Sequence, residues 1–153
     1  MKKKLITAFC VVLLLCCFPI STGAYNMDDV QVGSTTRKMI TYVPSNLPAG
    51  RPLIISMHGS SQDPTYQKDH SMLEEVADTA KFAVVYPAGI NNNWDLSGNS
   101  DINFILAIID NMVSRYKIDR NRVYLSGFSM GGMMTYYAAT KIADKIAAFA
   151  PIS

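Results

Sequence analysis

From residue 28 onward, apolar and polar positions fall into short blocks whose spacing switches between strand-like and helix-like. Residues 28–33 and 38–44 read as two short strands, with Gly-Ser-Thr-Thr as the turn between them. Residues 45–51 form a loop. Residues 52–57 (Pro-Leu-Ile-Ile-Ser-Met) are a nearly continuous apolar run, as in a strand covered on both faces. A helix follows over 67–81, where Leu73, Val76, Ala77 and Ala80 recur at helical spacing. Residues 82–86 are another buried strand, which Pro87 stops. The polar stretch 91–100 carries the single tryptophan, Trp94. Asp101 stands in N-cap position ahead of a strong helix with Ile105, Ile108, Ile109, Met112, Val113 and Tyr116 as its buried stripe. Residues 123–125 then form a strand, 130–142 a helix, and 147–152 begin one more strand.

Strands alternating with helices of this length imply βαβ crossovers and a mainly parallel sheet with helices on both faces, an α/β fold. Ligands of such sheets bind at the carboxyl ends of the strands. Three segments meet that edge: the Gly-Phe-Ser-Met-Gly stretch around Ser129, the His58–Gln62 loop, and the Trp94 loop.

The first 24 residues change the accounting. Lys2, Lys3 and Lys4 precede an apolar run from Leu5 to Ile20, and Ser21-Thr22-Gly23-Ala24 supplies small residues for cleavage. This is the layout of a secretory signal peptide cut after Ala24, since the run is short for a membrane span and Pro19 sits near its end. A lipoprotein signal fits less well, because Cys16 and Cys17 follow leucine and cysteine rather than a small residue. All three cysteines lie in this leader, so residues 25–153 hold no thiol for a disulfide, a metal or nucleophilic chemistry. Three of the 14 basic residues lie there too, and none of the 12 acidic ones. The remainder is therefore close to neutral, and no charge run suits nucleic acid or an anionic membrane. The expected location is secreted or periplasmic, with no membrane association after cleavage, and residues 25–153 form one domain or part of one.

Gly127-Phe128-Ser129-Met130-Gly131 has the spacing of a nucleophile elbow. The turn holds Ser129 in a strained conformation, so the residues two before and two after must be small. The Ser129 hydroxyl is thereby exposed at a helix N-terminus, where the Met130 N–H points at any oxyanion that forms. Gly59 lets the earlier loop turn close to a substrate, and the Ser60 N–H is the second oxyanion donor. His58 reads as a residue that orients this loop by hydrogen bonds rather than as a base, and His70 as part of a solvated helix face. Two separated histidines without clustered carboxylates do not make a metal site. Asp101, Asp119 and Asp144 occupy caps and turns, where acids are ordinary. Trp94 is either a stacking platform for a sugar or aromatic ring or a cover over the core edge.

The segments "PLIISMHGSSQ", "FAVVYPAG", "DINFILAIIDNMVSRYKIDRNRVYLSGFSMGGMM" and "AAFAPIS" resemble the α/β-hydrolase family of secreted esterases. That family includes polyhydroxybutyrate depolymerase-like enzymes and feruloyl and acetyl xylan esterases. The resemblance runs from about residue 37 to the end and is most specific over 118–134. It implies Ser129 as nucleophile, Met130 and Ser60 as oxyanion donors, and Gln62 as a loop residue of the family type. Depolymerase members often carry Cys where Ser60 stands, a swap that leaves a backbone donor unaffected. The triad of this fold follows the order Ser, Asp or Glu, His, and no histidine follows Ser129. The expectation is thus residues 25–153 as the N-terminal part of an esterase domain, truncated after the strand that follows the nucleophile helix. The triad acid and histidine would be absent, and the chain inactive alone.

The resemblance implies a secreted serine carboxylesterase working through an acyl-serine intermediate, with no cofactor. The substrate would be an ester on a plant polysaccharide (feruloyl or acetyl) or a polyester. A peptidase or acyltransferase of the same fold stays open, because the elbow fixes the nucleophile and not the acyl group. So does a non-catalytic carbohydrate- or polymer-binding relative using Trp94.

Overall fold

The computed structural model describes residues 23–153. The expected leader, with Cys10, Cys16 and Cys17, lies outside the described residues apart from Gly23 and Ala24. Among the described residues, six strands make one sheet in the order β1-β2-β4-β3-β5-β6. β1 (Ala24–Val32) and β2 (Thr35–Val43) form an antiparallel hairpin, turned at Gly33 with φ 59°. β2 also pairs antiparallel with β4 (Ala83–Pro87). From there β4, β3 (Leu53–Met57), β5 (Val123–Phe128) and β6 (Ala148–Ile152) run parallel. Parallel neighbours need crossovers, and each is supplied by helix. α1 (Pro64–Ser71) and α2 (Leu73–Ala80) join β3 to β4, α3 (Ser100–Tyr116) joins β4 to β5, and α4 (Met130–Ile142) leads to β6 through a 3-10 turn at Ala143–Lys145.

Strand parity divides the interior into two cores. Leu53, Ile55, Met57, Ala83, Val85, Val123 and Leu125 pack with α3 and α4 on one face. Ile40, Tyr42, Val84, Tyr86 and half-buried Ile54 pack with Leu73 and Ala77 of α2 on the other. Cover on both faces is why the central strands read as unbroken apolar runs. On α3, Ile105, Ile108, Ile109 and Met112 are all essentially inaccessible, each contributing about 1.5–3 kcal/mol by leaving water.

The structure differs from the sequence-based elements in several places. The turn after β1 is Gly33-Ser34 alone, because Thr35 and Thr36 already pair with β1, and the strand expected at 123–125 runs on to Phe128. The helix expected over 67–81 is two helices, broken where Met72 takes a left-handed conformation (φ 50°). It also starts earlier, because Asp63 caps it by accepting from the Tyr66 N–H at 2.8 Å and Pro64 presets its first turn. Restarting at Leu73 rotates the stripe: Glu74 and Ala77 are buried, whereas Val76 is 57% exposed and Ala80 is exposed. Asp101 is not the cap of α3, whose cap position is Asn99. Its carboxylate turns inward onto Arg37 at 2.7 Å, with both side chains buried. Val113 and Tyr116 are only half-buried, while Ile102 and Phe104 join the core. Pro87 is the last residue of β4, opposite Met39, rather than the residue after it.

Candidate active site

β5 delivers Gly127 and Phe128 to the carboxyl edge of the sheet, and the chain turns at Ser129 straight into α4. Ser129 has φ 51° and ψ −114°, a region that non-glycine residues enter only under constraint. The constraint is visible. Its N–H donates to the Ile152 carbonyl of β6 at 2.8 Å, and its carbonyl accepts from the Met133 N–H at 3.0 Å. Further along α4, the Thr135 hydroxyl donates to the Gly131 carbonyl at 2.9 Å. Ser129 itself is exposed.

The glycines of the elbow are required by close backbone approach. A Cβ on Gly127 would lie 2.4 Å from the Gly131 carbonyl group. A Cβ on Gly131 would lie 2.3 Å from the Met57 carbonyl oxygen and 2.7 Å from that of His58. One on Gly132 would lie 2.7 Å from the Ile152 oxygen. The first collision is inside the turn, as the motif predicts; the second and third are with the flanking strands. α4 is thus wedged against both β3 and β6, and Met130 stands at its N-terminus with one of the first-turn N–H groups that a helix leaves unpaired.

The three segments expected at this edge do come together. The His58–Gln62 loop abuts the elbow, since a Cβ on Gly59 would be 3.3 Å from the Phe128 ring. The Gly59 N–H donates to Gln62 Oε1 at 2.8 Å, and the Gln62 N–H donates back to the Gly59 carbonyl at 3.2 Å. The Trp94 loop holds the other side: the Ser60 hydroxyl donates to Asn93 Oδ1 at 2.7 Å and the Ser61 N–H to the Asn92 carbonyl at 2.9 Å. The Ser60 side chain is therefore occupied by Asn93.

Trp94 is no platform. It is 4% exposed, its ring lies against His58 with centroids 4.7 Å apart, and its Nε1–H donates to the His58 carbonyl at 2.8 Å. With no open ring face, the stacking role is corrected in favour of a cover over the core edge. Below that loop, Arg37 donates to the Ala88 carbonyl at 2.9 Å and to Asp101, and it stacks on Phe104. Asp101 in turn accepts from the Asp95 N–H at 2.6 Å. The N–H groups of Gly98 and Ser97 hold the Asp95 carboxyl below the usual range. Sequence reasoning missed Arg37 and Asn93. The run Asn91-Asn92-Asn93 was the available signal, because Asn tolerates the positive φ seen at Asn91 and Asn92.

Both described histidines are engaged elsewhere. His58 is buried, and burial lowers its pKa below the ordinary histidine value, although the Gly59 carbonyl and the Asp63 and Asp101 carboxylates pull the other way. His70 is exposed on α1, stacked on Tyr66 at 3.8 Å with Nδ1 on the Tyr66 carbonyl at 2.8 Å. Neither ring hydrogen-bonds Ser129. Beside Ser129 lies an open pocket of about 320 Å³ walled by Phe128, Met133, Tyr136, Pro151 and Ile152. Among the described residues, no three His, Cys, Asp or Glu side chains gather to hold a metal, and no helix is long and apolar enough to cross a membrane.

A strained serine between packed glycines, at the carboxyl edge of a mainly parallel sheet with helices on both faces, defines an α/β-hydrolase. A family model described as Phospholipase/Carboxylesterase matches residues 32–153, and the chain belongs to that family. It is 51% identical over 119 residues to the bifunctional acetylxylan esterase/xylanase XynS20E of Neocallimastix patriciarum, covering 76% of this chain and 18% of that protein. It is 32% identical to poly(3-hydroxyalkanoate) depolymerase C of Paucimonas lemoignei, over 100% of this chain and 39% of that one. The acetyl xylan esterase structure from Aspergillus awamori superposes with a TM-score of 0.69 at 23% identity, over 83% of this chain and 49% of that chain, a likeness of fold. The chain thus spans less than half the length of these relatives.

Proposed function

We propose that the chain carries the nucleophile and oxyanion side of a secreted or periplasmic serine carboxylesterase, with residues 1–24 as its signal peptide. The observation that supports this most is Ser129 itself, held at φ 51° on a strand-to-helix turn against glycines that admit no side chain. In this reading the Ser129 hydroxyl attacks an ester carbonyl, and the Met130 and Ser60 N–H groups take the developing oxyanion. The alcohol then leaves, and water releases the acid from acyl-Ser129. The names of the relatives support esters on plant polysaccharides, or polyesters, as the substrate class.

The base is proposed to come from residues beyond these 153. Both nitrogens of His58 are committed to backbone groups, His70 is stacked on Tyr66, and neither ring is bonded to Ser129. The 153-residue chain should therefore hydrolyse p-nitrophenyl acetate poorly, with a deficit of about a millionfold, the scale on which losing a triad histidine acts. Ser129-dependent turnover at the rate of an intact esterase would overturn the missing-base account and make His58 or His70 the base. The non-catalytic binding reading loses its main support, because Trp94 is buried.

A further inference from the structure

The hydrogen bonds around His58 specify more than its burial. The Gly89 N–H donates to His58 Nε2 at 3.0 Å, and His58 Nδ1 lies 2.7 Å from the Gly59 carbonyl oxygen. An amide N–H only donates and a carbonyl only accepts, so Nε2 carries no proton and Nδ1 carries one. The surroundings thus require the neutral Nδ1–H tautomer.

That proton lands on a consequential atom. The Gly59 carbonyl and the Ser60 N–H belong to one planar trans peptide, so they point in opposite directions in a shared plane. Fixing the carbonyl on the imidazole aims the Ser60 N–H, and the Gln62 N–H steadies the same oxygen from a second side. The imidazole is held in turn by Gly89 and by the Trp94 ring, both in the segment after β4. A chain of contacts therefore runs from Gly89 through the imidazole and the Gly59–Ser60 peptide to the Ser60 donor.

We propose that His58 is a positioning residue, a strut whose neutral Nδ1–H tautomer aims the Ser60 N–H and whose protonation releases it. Adding a proton at Nε2 sets a donor against the Gly89 N–H, which costs that bond and frees the ring to swing, carrying the Gly59–Ser60 peptide with it. The charged groups facing the ring are the Asp63 carboxylate at the start of α1 and Asp101 on α3, the latter already neutralised by Arg37 of β2. Burial outweighs both and favours the neutral ring. The purpose of aiming that N–H rests on the proposed esterase reading; the strut itself does not.

The test is a pH titration by ¹⁵N NMR of the full 153-residue chain carrying His70→Asn, which leaves His58 as the single imidazole. The expected result is a neutral ring protonated at Nδ1, a midpoint below the ordinary histidine value, and Gly89 and Ser60 amide signals that shift with that same midpoint. His58→Gln, whose side-chain oxygen can still accept from Gly89 but does not titrate, should abolish the shared step. A residue that merely filled the core would titrate without moving Ser60. An Nε2–H tautomer, or a Ser60 amide indifferent to the His58 titration, would overturn the proposal. No ester is turned over here, so this outcome is independent of whether Ser129 is a nucleophile.

Discussion

Gly131→Ala isolates the wedge between α4 and β3. The added methyl would stand 2.3 Å from the Met57 oxygen and 2.7 Å from the His58 oxygen, where real Cβ contacts essentially never fall below 3.0 Å. α4 must therefore withdraw by at least about 0.7 Å, or β3 must bend. The Met57 oxygen ends β3, which pairs with β5 as far as Met57, and the His58 oxygen just beyond it is held by the Trp94 Nε1–H, so neither rotates away as a side chain would. Overpacking of this kind costs about 1–3 kcal/mol, and rigid backbone puts the cost near the top of that range. Against it stands helix propensity, since Ala in place of Gly stabilises a helix interior by up to about 1 kcal/mol. The steric effect wins, leaving a net loss of about 2 kcal/mol, which is roughly 8 °C in Tm for a domain of this size. Urea unfolding followed by Trp94 fluorescence measures it, with Met133→Ala, an exposed position on the same helix, as the control expected within about 0.5 kcal/mol of the parent. Propensity alone predicts the opposite sign. A Gly131→Ala chain as stable as its parent would refute the packing described for the elbow.

Three further outcomes follow from the same geometry. Ser129→Gly should be more stable than Ser129→Ala by about 1 kcal/mol or more in urea unfolding, because only glycine is at ease at φ 51°; equal stabilities would mean that the turn is unstrained. Asp101→Ala should cost about 3–5 kcal/mol by leaving Arg37 buried without its partner, and a loss under 1 kcal/mol would show that water reaches the pair. With its folded pKa below the unfolded value near 6.5, His58 contributes stability that is complete above about pH 6.5 and is lost as pH falls through the folded value. His58→Gln should flatten that part of the stability–pH curve, and an unchanged curve would assign it to another group.

What could be read from the chain was what local pattern controls. The bounds of α4, residues 130–142, were legible because Gly127, Ser129 and Gly131 mark a turn and an apolar, Ala-rich segment follows. The buried strands were legible because cover on both faces leaves an apolar run with no alternation. Asp101 was misread because its position looks like a cap; its partner Arg37 lies 64 residues away and nothing local announces the pairing. Met72 gave no sign of a break, since the left-handed conformation it takes is not one that methionine favours. Asp63-Pro64 was a readable start for α1 that the apolar spacing further along the helix obscured. Trp94 among asparagines resembled a binding rim, and only the His58 carbonyl within reach of its Nε1–H makes burial favourable. For Gly131 the need for a small residue was legible, but the partner it spares, the end of β3, was not.

The most direct test of the central claim, that the elbow presents residue 129 for acyl transfer beside prepared oxyanion donors, replaces the nucleophile with one that needs little help from a base. A Ser129→Cys thiolate, at a helix N-terminus, is reactive near neutral pH without a triad histidine. Mixed with p-nitrophenyl acetate, residues 25–153 of this variant, which hold no other thiol, should release p-nitrophenol in a rapid stoichiometric burst and carry the acetyl group on Cys at position 129, located by peptide mass spectrometry. Acylation at that position should exceed the urea-denatured rate by roughly a hundredfold, the contribution of an oxyanion donor. Equal rates in the folded and denatured chains would contradict the claim.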